Sequence, residues 1–153
     1  MTLLVLGALF RLLPDLLQRT RWVLQSLHKD RLRVHGILNL PGNGPVLIVT
    51  NAATANEHKN VAWASDRQVH FLNGNDASQI KRFASRGEVI AVSVISTATV
   101  AYEKVRADVG SQCPVLPVVS APSEVRFGTL MPSTSSADEV LAAIDKTKES
   151  PIT

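Results

Sequence analysis

The chain has 153 residues, of which 45% are hydrophobic and 19% charged, with a mean hydropathy of +0.11 and a net charge of +3. This length predicts about one domain, and the composition excludes collagen-like, coiled-coil and wholly disordered proteins. The single cysteine, Cys113, excludes an internal disulfide, so the chain does not need an oxidising compartment.

The N-terminal segment, residues 1–30, combines an apolar run with basic residues. Thr2 to Phe10 reads TLLVLGALF, and Arg11 and Asp15 then interrupt it, whereas a membrane-spanning helix needs roughly 20 apolar residues. Basic residues do not precede this run, so a secretory signal is not expected. Residues 13–27 place their leucines on one helical stripe. This pattern predicts an amphipathic helix that either covers the core or lies in a membrane interface.

Positive charge is concentrated between residues 11 and 33 and predicts an anionic partner. The sequence lacks interleaved aromatic residues and the motifs of nucleic-acid-binding domains. We therefore expect a phospholipid membrane surface as the partner and no nucleic acid. The expected location is the cytoplasmic face of a membrane, with peripheral attachment, or otherwise the cytoplasm.

From residue 31 to 148 the pattern alternates between strands and helices. A mostly parallel sheet flanked by helices, an α/β domain, is the fold that such alternation predicts. The strands are predicted at residues 31–37, 46–49, 68–72, 88–95, 114–119 and 125–127, and the helices at 52–64, 77–85, 99–109 and 138–148.

Three details of this prediction concern strand placement. The turn LPGNGP at residues 40–45 predicts a hairpin-like connection between the first two strands. The unbroken apolar run VLIV at 46–49 predicts a central strand that is buried on both faces. The prolines at 114 and 117 predict that the fifth strand starts late or lies partly at an edge.

Four segments with short motifs follow one another along the chain, and their order helps to identify similar proteins. Residues 31–51 read RLRVHGILNLPGNGPVLIVTN and carry a V-x-G-x-x-N-L-P pattern; the later segments are RGEVIAV at 86–92, CPVLPVV at 113–119 and VRFGTLMPSTSSADEVLAAI at 125–144. Over residues 10–147 the chain resembles the glycerolipid acyltransferases. That family includes the lysophosphatidate acyltransferases and the acyltransferase domains of acyl-carrier-protein synthetase and lysophospholipid transporter fusions.

The resemblance implies a catalytic dyad that the chain lacks at the family's own positions. There the family has a histidine, which takes the proton of the acceptor hydroxyl, and an aspartate that orients the ring; this chain has Ala52 and Glu57. The neighbouring His58 is the candidate substitute base, with Glu57 as its carboxylate. On a helix that includes Ala52, however, His58 would be rotated by about 240° from it. The alternative is an ordinary exposed histidine.

The resemblance also implies a substrate-binding motif with glutamate and glycine, whose positions are Ile95 and Ser96 here. An arginine-bearing phosphate-binding stretch of the family is shortened in this chain. The candidate substrate-binding residues are Asn51, Lys81, Arg82 and Arg86. For the three basic residues the alternative is a solvated helix face.

We therefore expect an acyltransferase-like protein of glycerophospholipid metabolism that lacks catalytic activity. It is expected to act at the membrane periphery as a module that binds a lipid, such as a lysophospholipid, or a protein partner. One alternative is an active acyltransferase that moves an acyl group from acyl-CoA or acyl-ACP to a lysophospholipid. Another is a remnant of the family without activity. No cofactor or metal is expected, because the histidines and Cys113 lack metal-ligand spacing.

Overall fold

The structure is a computed structural model that describes residues 32–72, 77–94 and 98–150. The chain divides into two compact units, residues 1–31 and 32–153. The predicted amphipathic helix and its membrane-binding face lie outside the described residues, as do Ile95 and Ser96.

The described part of the second unit is an α/β domain, as the alternating pattern predicts. Its strands are β1 (Arg33–His35), β2 (Val46–Thr50), β3 (Val69–Phe71), β4 (Val89–Ser93), β5 (Val115–Ala121) and β6 (Glu124–Phe127). Its helices are α1 (Ala55–Ala64), α2 (Ala77–Ser85), α3 (Ala98–Val109) and α4 (Ala137–Glu149), and a short 3-10 helix spans Ile37–Asn39.

The six strands form one sheet with the order β1-β6-β5-β2-β4-β3. All neighbours are parallel except β5 and β6, which are antiparallel. The predicted hairpin-like connection is wrong, because β1 pairs with β6 at one edge of the sheet. β2 has no free side for β1, since β5 and β4 already flank it.

The central strand β2 is buried on both faces, which confirms the interpretation of its apolar run. All five of its residues are buried. Leu47 and Val49 belong to the core formed with α2, α3 and α4, whereas Val46 and Ile48 belong to the core formed with α1. Helices therefore cover the sheet on both faces, as is typical of parallel sheets.

Strand β5 starts late, at Val115, which is the first of the two alternatives that its prolines predict. It is an interior strand and contains Pro117. Pro117 N faces the β6 side, where Val115 donates its own N–H to Met131 O at 2.9 Å. There β6 ends at Phe127, and Gly128 N–H donates to the Pro117 carbonyl at 2.8 Å. The missing N–H of the proline therefore removes no bond between β5 and β6.

The V-x-G-x-x-N segment holds β1 and the 3-10 helix against the end of β6. Gly36 has a φ of 72°, and a Cβ added there would collide with the carbonyl oxygen of Phe127. Asn39 Nδ2 donates to the carbonyl oxygen of Gly128 at 2.8 Å. In this chain the motif therefore has a structural role that needs both a glycine and an amide.

Candidate functional site: a crevice at the carboxyl ends of β2 and β4

The strand order creates a crevice between β2 and β4. These strands are parallel neighbours, but β2 leads to α1 on one face of the sheet and β4 leads to α3 on the other. The chain thus leaves two adjacent carboxyl ends in opposite directions. In open α/β sheets, ligands bind in the crevice at such a topological switch point. The crevice is therefore the candidate functional site.

The start of α1 differs from the predicted helix and changes the position of His58. Thr54 is the N-cap, and its hydroxyl accepts the N–H of Glu57 at 3.2 Å. This capping box starts the helix at Ala55, so Ala52 precedes the helix. The rotation of about 240° expected between Ala52 and His58 on a helix that includes both does not apply.

His58 reaches back from the first turns of α1 into the crevice. Its Nε2 lies 3.1 Å from the carbonyl oxygen of Ala52 and 2.9 Å from Ser93 Oγ, at the end of β4. The ring stacks on Phe71, at the end of β3, with 4.3 Å between the ring centroids. The structure thus brings the imidazole of His58 beside the residue that occupies the family's histidine position.

The hydrogen bonds assign the protons in this cluster. Ser93 Oγ lies 2.5 Å from the Ala52 carbonyl oxygen, which can only accept, so the hydroxyl hydrogen of Ser93 lies between the two oxygens. His58 Nε2 faces the same two oxygens, so the tautomer with its hydrogen on Nε2 fits both contacts. A nitrogen that donates has no lone pair with which to take a proton from a substrate. In this arrangement the imidazole stabilises the loop and does not act as a base through Nε2.

The carboxylate of Glu57 is engaged by the main chain and does not orient the imidazole. Its Oε2 accepts the N–H of Ala53 at 2.7 Å and the N–H of Thr54 at 2.9 Å. The backbone N–H of Thr54, followed by that of Ala53, holds the pKa of Glu57 below its ordinary value. The carboxylate is therefore a helix cap, and the structure does not bring Glu57 and His58 together as a dyad.

Asn51 extends the pairing of β2 with β5. The ladder ends at the pair of Thr50 with Val118, and Asn51 Oδ1 then accepts the N–H of Ser120 at 2.8 Å. The side chain replaces a main-chain acceptor at the point where β2 ends. The Ser120 hydroxyl is buried and has no hydrogen-bond partner among the described residues.

The predicted phosphate-binding residues lie on or just after α2, which runs away from the crevice. Lys81 Nζ lies 3.9 Å from Asp108 Oδ1, and the guanidinium carbon of Arg82 lies 5.9 Å from the ring centroid of Phe83. Arg86 follows α2 and precedes β4, which places it near the amino end of β4. The structure therefore does not bring these three residues to the crevice.

The other candidate side chains have structural surroundings. His70 Nε2 lies 3.0 Å from Glu88 Oε2, and its ring stacks on Phe83 at 4.0 Å. Burial raises the pKa of the Cys113 thiol to about 11, which keeps it a thiol at neutral pH. Within the described residues no group of three or more His, Cys, Asp or Glu could hold a metal ion.

Sequence analysis did not single out Ser93 and Phe71. Ser93 is the first polar residue after the apolar run VIAV, which is the one signal that marks the end of a buried strand. That it faces His58 depends on the pairing of β2 with β4, and the position of Phe71 depends on the pairing of β3 with β4.

No protein-family model, no curated protein and no solved structure matches this chain. The resemblance to the glycerolipid acyltransferases is thus a hypothesis that depends on the short motifs alone. In the part of the chain that the structure describes, no helix has the length and apolar character needed to cross a membrane.

Proposed function

We propose that this chain is an acyltransferase-like, membrane-peripheral protein that binds a lysophospholipid in the crevice between β2 and β4 without transferring an acyl group. The observation that carries this proposal is the hydrogen bonding of His58 and Ser93 to the carbonyl oxygen of Ala52. Ser93 Oγ and His58 Nε2 are both engaged by this carbonyl oxygen, so neither of these two atoms is free to remove a proton from an acceptor hydroxyl.

Acyl transfer from a thioester requires a base with a free lone pair, held in position by a third group. Ala52 supplies only a methyl group, and the carboxylate of Glu57 caps α1. Each part of the expected dyad is therefore absent or used elsewhere. This supports a protein that keeps a binding crevice but not the chemistry.

The surroundings of the crevice support binding of an amphipathic ligand. Phe71, at the end of β3, is a partly buried apolar residue that packs against the core on the α1 face, which includes Ala52. Leu72 and Val94, which directly follow β3 and β4, pack against the core of the opposite face. Ser93 Oγ and the Ala52 carbonyl are the adjacent polar groups. Apolar walls with a few polar groups are typical of small-molecule sites. An acyl chain against the apolar residues and a headgroup beside the polar groups is the arrangement that we propose.

A second candidate function is acyl transfer with His58 and Ser93 as the reacting pair. It is favoured by the distance of 2.9 Å between His58 Nε2 and Ser93 Oγ, which is the separation of a nucleophile and its base. It requires that a substrate release the Ala52 carbonyl from both side chains and that the imidazole carry its hydrogen on Nδ1. Nε2 can then accept the proton of the Ser93 hydroxyl while Oγ bonds to the thioester carbonyl carbon and the thiol of CoA or ACP leaves.

The test is a pair of assays on the folded full chain with matched histidine variants. Acyl transfer from acyl-CoA and acyl-ACP is measured on a panel of lysophospholipids, and binding of a labelled lysophospholipid is measured by equilibrium dialysis below its micelle concentration. His58→Gln is compared with His70→Gln, because both histidines are half-buried and stacked on a phenylalanine.

We expect no turnover by the natural sequence, together with saturable lysophospholipid binding that His58→Gln weakens and His70→Gln does not. Turnover that His58→Gln abolishes would replace the proposal by the second candidate. Folded protein with neither turnover nor binding would leave a protein-binding module or an inactive remnant.

Membrane attachment is tested separately with the full chain and vesicles that contain anionic phospholipid. The basic residues between 11 and 33 predict binding that weakens as salt is added, because exposed charges are screened. Equal amounts of protein on anionic and neutral vesicles would overturn this part of the proposal.

A further inference from the structure

A cavity separate from the crevice lies at the edge of the sheet that β1 forms, where β1 and β6 end. Because β6 is antiparallel to β5, the carboxyl ends of β1 and β6 lie beside the amino end of β5, away from the crevice. The cavity has a volume of about 490 Å³ and is lined by β1, the 3-10 helix, the end of β6 and the last turns of α4. This volume suits a small organic molecule. We call it the β1–β6 cleft.

Every ionisable side chain that lines the β1–β6 cleft is basic: His35, Arg126 and Lys146. The carboxylate of Glu124 contacts two of these side chains: its Oε1 lies 2.6 Å from Arg126 Nε and 3.3 Å from His35 Nε2. The hydrogen bond from Arg126 holds the pKa of Glu124 below its ordinary value, so Glu124 carries one negative charge against the two positive charges of Arg126 and Lys146. The cleft therefore keeps an excess of positive charge.

The polar groups of the cleft are held in place before any ligand arrives. Arg126 Nη1 donates to the carbonyl oxygen of Ser150 at 2.6 Å, which fixes the guanidinium at the end of α4. Asn39 donates its amide hydrogens to the carbonyl oxygens of Gly128 and Phe127, so its Oδ1 is an acceptor for a hydroxyl group. Groups that are already fixed lose little entropy when they bind.

We propose that the β1–β6 cleft binds the phosphate monoester of a sugar or a small polyol. The phosphate lies between Arg126 and Lys146, and the hydroxyl groups lie near Asn39 and Thr129. The two cations alone would suit any phosphate group. The volume of the cleft and its neutral polar groups favour a ligand that is larger than phosphate itself. The proposal concerns a separate edge of the sheet and does not depend on the function of the crevice.

The experiment is isothermal titration calorimetry of the full chain at low ionic strength, with separate titrations of glucose 6-phosphate, inorganic phosphate and glucose. We expect saturable binding of glucose 6-phosphate, weaker binding of phosphate and none of glucose. Lys146→Glu lines the cleft with a negative charge and should weaken glucose 6-phosphate binding by about tenfold or more.

The matched control is Lys148→Glu, which makes the same change in charge on the same helix. Lys148 does not line the cleft and pairs with Asp145 at 3.2 Å, so affinity should change by about twofold or less. Thr129→Val, at an exposed residue, should weaken glucose 6-phosphate binding and leave phosphate binding unchanged.

Three results would overturn the proposal. The first is that glucose 6-phosphate releases no heat at about 10 mM, a concentration at which weak specific sites still saturate. The second is an equal loss of affinity in both lysine variants, and the third is equal affinity for phosphate and glucose 6-phosphate. Unchanged circular dichroism of the variants excludes a folding defect as the cause of any loss.

Discussion

The crevice, at the carboxyl ends of two interior strands, and the β1–β6 cleft, at one edge of the same sheet, use their polar side chains differently. In the crevice, Ser93 and His58 direct their hydrogens at the Ala52 carbonyl, and Asn51 holds the N–H of Ser120. In the cleft, Arg126 is anchored by carbonyl groups but keeps its charge, and Lys146 is exposed. A cluster of polar residues at strand ends is therefore not a catalytic site by itself. Whether such a cluster can react or bind depends on which of its lone pairs and charges are still free.

The largest expected effect concerns Gly36, at the wall of the cleft. Gly36→Ala combines a φ of 72° with a collision at the Phe127 carbonyl, so we expect the free energy of unfolding to fall by about 3 kcal/mol or more. Urea denaturation measures this change.

The matched controls separate the two causes. Gly110→Ala has a φ of 82° and open space around the new Cβ, so it reports the cost of the backbone conformation alone, about 1 kcal/mol. Gly42→Ala has neither problem and should be near neutral. A loss for Gly36→Ala no larger than that for Gly110→Ala would show that β1 shifts without cost.

The second prediction concerns Arg67, a cation that makes three hydrogen bonds to the main chain. Its guanidinium donates to the carbonyl oxygens of Pro41, Gly44 and Gly87 at 3.0, 2.7 and 2.6 Å, and so joins the segments that precede β2 and β4. Arg67→Met should lower the free energy of unfolding by about 2–3 kcal/mol, because hydrogen bonds from a charged donor are lost together. Chemical denaturation checks this, with Arg82→Met at the surface as the control; similar losses in both would contradict it.

The third prediction tests whether Asn51 has the structural role that the crevice assigns to it. Asn51→Ala leaves the N–H of Ser120 without its acceptor and should lower the free energy of unfolding by about 1–3 kcal/mol. Asn51→Asp keeps an oxygen at this position and should recover most of the loss at neutral pH. If both variants are as stable as the natural sequence, Asn51 is free for a ligand, and its earlier interpretation as a substrate-binding residue regains support.

The smallest effect is expected at Glu57. The pKa of Glu57 is lower in the folded protein than in the unfolded chain. Glu57 therefore contributes fully to stability at a pH above its pKa in the unfolded chain, and this contribution is lost as the pH falls through its lower pKa in the folded protein. Glu57→Gln should therefore be less stable than the natural sequence at pH 7, and the two should converge at acidic pH. Thermal unfolding measured from pH 7 to 3 checks this; a constant difference over that range would contradict it.

The sequence predicted the strands and helices well, because their signals are local. The unbroken apolar run of β2 and the bounds of α2 are confirmed. The start of α1 was wrong, since the capping box of Thr54 and Glu57 outweighs the helix propensity of the alanines before it. Of the two alternatives predicted for β5, the late start is confirmed. The interior strand accommodates Pro117 because β6 ends at Phe127, on the side of the missing N–H.

The candidate site was only partly predictable for the same reason. His58 was identified as a candidate from its place beside Ala52, but its partners lie on β4 and β3, far along the chain. Asn51 and Glu57 were identified for chemistry, and the structure uses both for main-chain hydrogen bonds. A sequence pattern gives the type of a side chain but not which of its lone pairs are already occupied.

The sequence by itself determined the α/β class and the central strand, because apolar periodicity acts over a few neighbours. Only the tertiary structure decided that β2 and β4 are adjacent and that the chain leaves them on opposite faces. That arrangement creates the crevice and brings Ser93 to His58 across 35 residues of sequence. Such contacts depend on the order of strands in the sheet, which arises from the joint burial of two cores and has no local signature.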